Sequence, residues 1–143
     1  MYLILKESHN KVGLIILFSL LLIILFIAVR FLLKKPFDRT SRIASLIGLT
    51  LVHIQFSLGL LLYFMSPLGI DNFSGTSMKH SISRFYIVEH PIGMVLAIVL
   101  ITLANRISRK RELSSNGVYK RVLLYYTIAF GIIAYLTPWF LWS

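Results

Sequence analysis

Two histidines and a glutamate stand where ionisable side chains are costly. His53 and His90 each lie in a stretch apolar enough to cross a bilayer, and Glu89 precedes His90 in the run Val88-Glu89-His90-Pro91. Such groups face a protein interior, a cofactor or a proton path in preference to lipid. An imidazole on each of two neighbouring helices is the simplest way for a membrane bundle to hold haem b, one ligand on either side of the iron. A structural reading fits the same residues. Both histidines would then be neutral and hydrogen-bonded to Ser57, Gln55, Tyr86, Glu89 or a carbonyl freed by Pro91.

Depth along the helices tests the pairing. Counted from the basic residues Arg42 and Arg106, His53 and His90 stand at heights of roughly 16 and 24 Å. Tilt and a kink at Pro91 absorb much of that difference, so the spacing permits a shared iron without demanding it. His9 counts to about 13 Å above His90, which argues against shared ligation and places it at the interface. His80 is expected in solvent. Glu89 has a structural role open to it, an ion pair with Arg84 five residues earlier or a hydrogen bond to a tyrosine, and a functional one, proton exchange with a bound quinone. The structural role is the expected one, with Glu89 bonded to a neighbour on the third or fourth helix and not to a metal.

The elements that must position these residues are apolar spans. The 143-residue chain is 57 % hydrophobic and carries 15 basic against 5 acidic side chains. Segments at about 12–33, 43–64, 80–105 and 121–142 each suffice for a core that needs about 20 residues per helix. The fold class is therefore all-α, a polytopic membrane protein forming one up-down-up-down four-helix domain. The first span ends in Arg30 and Lys34-Lys35 with no small-residue cleavage site, the pattern of an uncleaved signal anchor.

The net charge of +10 is concentrated in two connections. Lys34, Lys35, Arg39 and Arg42 follow the first span. Arg106, Arg109, Lys110, Arg111, Lys120 and Arg121 follow the third. The positive-inside rule puts both connections in the cytoplasm and both termini outside, so the basic residues set topology and meet anionic headgroups. Nucleic acid is excluded as a partner on this pattern. The absence of cysteine removes disulfides, thiolate metal sites, c-type haem attachment and cysteine nucleophiles.

The first span is almost pure Leu, Ile and Phe, whereas the second carries Ser45, Gly48, Thr50, His53, Gln55, Ser57 and Gly59. On a helix His53 shares a face with Leu49, Phe56, Ser57 and Leu60, and Gln55 points almost opposite, with Gly48, Val52 and Gly59. Thr76 and Ser77 could cap a third helix starting at about Met78. Tyr86 and Met94 flank His90 by one turn. The fourth span ends in an aromatic belt of Tyr135, Trp139 and Trp142.

His53-Ile54-Gln55, Leu58-Gly59-Leu60, Leu62-Tyr63-Phe64, Ser66-Pro67, Arg84-Phe85, Glu89-His90 and the run to Ile101-Thr102 together resemble a family of small four-span bacterial membrane proteins labelled cytochrome b-like. The resemblance implies a multi-pass protein of the bacterial cytoplasmic membrane that binds haem b through His53 and His90. Glu89, Arg84, Tyr86 and Gln55 would be their neighbours, and electrons would pass to a quinone or a partner complex. Ser8-His9-Asn10-Lys11 keeps a family histidine but lacks the aromatic residue that accompanies it. The competing expectation is a haem-free accessory or structural subunit of a larger membrane complex, respiratory or other. No catalytic constellation stands out, so either reading is of a non-catalytic subunit.

Overall fold

The computed structural model describes residues 1–139. Helix α1 spans Tyr2–Leu32, α2 Arg39–Met65, α3 Ser81–Ile107 and α4 Ser115–Tyr135. All four are long and apolar enough to cross a membrane. Each packs on its two chain neighbours, and α4 closes the ring on α1, giving an all-α four-helix bundle. Trp142 of the expected aromatic belt lies outside the described residues.

Two ends differ from expectation. Helix α1 begins ten residues or so before the apolar run, because nothing between Tyr2 and Gly13 breaks a helix. Helix α3 starts at Ser81 and not near Met78. A separate 3₁₀ turn, Ser77–Lys79, precedes it, and the Ser77 amide is taken by Ser74 Oγ at 3.0 Å.

At the basic end the chain is tightly tied. Lys34 adopts φ 54°, and its amide and that of Lys35 return to the carbonyls of Phe31 and Arg30, closing α1 in a Schellman turn. Arg30 does not simply reach for headgroups. Its Nη2 donates to Asp38 Oδ2 at 2.6 Å and its Nε to Ser41 Oγ at 2.9 Å. Ser41 in turn meets the Tyr119 hydroxyl at 3.2 Å, and Tyr119 donates to the Pro36 carbonyl at 3.2 Å. The Phe37 amide donates to Ser115 Oγ at 3.0 Å, so the two basic connections are joined.

Helix α2 turns a stripe of small and polar residues inward. Ser41, Ser45, Gly48 and Val52 are buried, and a side chain on Gly48 would run into the Tyr126 ring and hydroxyl. Tyr126 fills that gap and donates to the Ser45 carbonyl. The missing side chain at Gly48 leaves room for the Tyr126 ring to reach across from α4, and Tyr126 is buried there.

Candidate functional site

The half of the bundle away from the basic connections holds the polar residues of interest, and Pro91 organises it. Proline cannot donate to the carbonyl four residues back, which is that of Ile87. Helix α3 responds with a π-helical segment, Phe85–Glu89, directly before His90. The freed Ile87 carbonyl accepts the Tyr63 hydroxyl of α2 at 3.1 Å. The wider turn also brings Arg84 and Glu89 together, Nε to Oε1 at 2.8 Å. Of the structural partners expected for Glu89, Arg84 is the one present, and the pair is exposed. Tyr86 is half-buried, with its ring edge-on to Phe85 at 5.2 Å between centroids.

His90 is half-buried and points toward α4. Its Nδ1 lies 2.9 Å from the Leu136 carbonyl. That carbonyl belongs to the C-cap of α4, where backbone acceptors have no partner within the helix. Gly93, one turn below, leaves the room that the Leu136 side chain occupies, so α4 can come this close.

His9 joins this group, contrary to the expectation from helical rise. The His9 and His90 rings lie 6.3 Å apart between centroids, at 80° to each other. Counting residues as heights treats the helices as vertical. A 31-residue helix is on the order of 46 Å long, well beyond a hydrocarbon core of about 30 Å, so residue counts along α1 do not give depths. Gly59 on α2 admits the His9 ring, since a side chain there would sit 2.9 Å from His9 Cε1. Gln55 then clamps the residue. Its Nε2 donates to the His9 carbonyl at 2.7 Å and to His9 Nδ1 at 3.1 Å. Gln55 shares a face with Gly48, Val52 and Gly59, as helical spacing predicts, and that is the face turned inward.

His53 lies elsewhere. It is exposed, its Nδ1 is 2.8 Å from the Leu49 carbonyl of its own helix, and it lines a shallow surface groove with Leu49, Thr50, Ile54 and Ser57. All of these belong to α2. A haem shared by His53 and His90 needs the two imidazoles to face each other across a slot, one on either side of the iron. Here His53 opens outward on α2 and His90 lies beside His9, so the structure does not bring the two imidazoles together. Among the described residues no group of three or more His, Asp or Glu side chains converges as a metal site. His80 is exposed, as expected.

In comparisons with protein-family models, curated proteins and solved structures, nothing matches this chain.

Proposed function

We propose that this protein is an accessory or structural subunit of a larger complex in the bacterial cytoplasmic membrane, docked on its partner through the outer face of α2. The observation that carries this reading is the outward placement of His53 in mid-span. Thr50 and Ser57 beside it donate to their own helix, at Leu46 and His53 carbonyls. The Leu49 carbonyl can only accept, so His53 Nδ1 donates and Nε2 keeps a lone pair that has no partner among the described residues. An ionisable side chain is expensive against lipid, and a neighbouring helix that donates to Nε2 removes that cost. Helix α2 also gives least to its own bundle, with 17 % of its most apolar window buried against 28 % for α3 and α4. The basic connections lie on the cytoplasmic side in this reading.

A photo-crosslinking residue in place of Ile54, in native membranes, tests it. The expected result is one discrete adduct with a membrane protein, lost when His53→Leu is added. A b-type absorption spectrum abolished by His53→Ala and by His90→Ala would overturn the reading in favour of an electron-transfer subunit. Labelling of a cysteine at Ser114 from outside the cell would overturn the orientation.

A further inference from the structure

We infer that the partner on α2 is a single membrane-spanning helix of a different chain, bearing a hydrogen-bond donor at the depth of His53. The inference rests on the docking reading above and names the chemistry of its occupant. Leu46, Thr50, His53, Ser57, Leu60 and Phe64 are all exposed and follow one another in alternate steps of four and three residues. That 3.5-residue period keeps a row turned toward one neighbouring helix crossing at about 20°. The row covers about 27 Å of rise, close to a hydrocarbon core of about 30 Å, so its match is another span and not a loop. Its ends are apolar and its middle is polar. The outward faces of α1 and α3 offer a contrast, with Phe18, Leu22 and Leu25 on one and Ile92, Val95 and Val99 on the other. Those faces suit lipid as they stand.

The polar middle selects the occupant. The Thr50 hydroxyl donates to the Leu46 carbonyl at 2.9 Å, and the Ser57 hydroxyl donates to the His53 carbonyl at 2.9 Å. In the neutral His53 ring the one proton sits on Nδ1 and goes to the Leu49 carbonyl at 2.8 Å, because a carbonyl only accepts. Every polar proton on these three side chains is therefore spent on α2 itself. A neighbour is offered acceptors alone, the two hydroxyl oxygens and His53 Nε2. A second copy cannot answer that demand. Two copies inserted the same way, related by a twofold axis along the membrane normal, would set like rows against each other, acceptor to acceptor. A cation could bridge two His53 rings, but it would have two neutral ligands, and α2 carries no acidic side chain to offset its charge. The partner helix thus comes from another protein and supplies the N–H or O–H, a donor that Asn, Gln, Trp or Tyr carries.

Photo-crosslinking in cells that express two differently tagged copies of the full chain tests the occupant. A crosslinking residue replaces Leu46, Ile54, Leu60 or Phe64, one at a time, and the crosslinked peptides are sequenced by mass spectrometry. The expected result is one membrane-spanning segment of another protein, reached from all four positions, with a donor side chain at the depth of His53. His53→Leu should lower the adduct yield at least about threefold, as for the loss of one hydrogen bond between membrane helices. His53→Gln, whose amide oxygen still accepts, should restore it. An adduct between the two tagged copies overturns the inference and leaves α2 as the docking face. So does a partner segment with no donor at that depth, or an equal yield in His53→Leu. No adduct from any of the four positions overturns the docking reading itself, and the inference with it.

Discussion

Arg84 and Glu89 meet at 2.8 Å across five residues of one helix, a spacing that an α-helix would turn apart and a π-helical segment brings together. The pair thus reports on the backbone around Pro91 more than on any chemistry of its own.

Its energetic weight is small. The side chains are 48 % and 43 % exposed at the bundle surface, so the pair is not enclosed by protein. Arg84→Ala and Glu89→Gln should each change stability by no more than about 1 kcal/mol, and less at high salt. Chemical denaturation of the detergent-solubilised protein measures this. A loss on the order of 3 kcal/mol or more in Arg84→Ala would mean that the carboxylate is desolvated in the membrane-bound protein.

Glycines at two positions of the bundle should respond in opposite directions. At Gly48 an added methyl meets the Tyr126 hydroxyl at 2.7 Å and Cε1 at 2.8 Å, and Tyr126 is fully buried with little room to yield. Gly48→Ala should cost about 1–3 kcal/mol through overpacking. At Gly131, within α4, nothing lies within 4 Å of the added atom. Gly131→Ala should be neutral or stabilise by up to about 1 kcal/mol through helix propensity. Thermal melts of the two variants side by side check the sign of each.

Asp38 sets a pH dependence at the basic end. The Ser41 amide holds its carboxyl below the ordinary value of 3.8, and the Arg30 guanidinium adds to that against partial desolvation. A carboxyl with a depressed folded pKa contributes stability that is present above 3.8 and is lost as pH falls through the lower folded value. Melting temperature should therefore drop more steeply below about pH 4 in the parent than in Asp38→Asn, which has no proton to gain. Equal slopes would show that another acid governs the transition.

Spans and their packing order were legible because each helix advertises itself by length and hydrophobicity. That His53 and Gln55 lie on different faces of α2 was legible as well, since they differ by a half-turn at helical period, but which face turns inward was not. What escaped was three-dimensional. The sequence places His9 at the interface ahead of the first apolar span, yet Lys6, Glu7, His9, Asn10 and Lys11 continue α1 and carry His9 to Gly59. A count of residues along parallel helices does not bring His9 to His90, yet in the structure the His9 ring packs at Gly59 and lies beside His90. Gly13 and Gly59 were the available signal. A side chain at Gly13 would strike Gln55 and one at Gly59 would strike His9, so small residues marked where α1 and α2 approach.

Tyr63 offers the sharpest check on how α3 is built. Its hydroxyl satisfies the Ile87 carbonyl only because Pro91 cannot, and Ile87 is itself buried. Tyr63→Phe removes the donor, leaves the carbonyl unpaired, and should cost about 1–3 kcal/mol. Pro91→Ala restores an amide that can reach Ile87 in a regular helix. In that background the tyrosine has nothing to rescue, and Tyr63→Phe should cost close to nothing. Arg84 and Glu89 should also separate, because the π-helical segment has lost its cause. The double-mutant cycle therefore predicts a coupling of about 1 kcal/mol or more between residues on different helices. Additive costs for Tyr63→Phe and Pro91→Ala would show that the hydroxyl bond and the proline are unrelated.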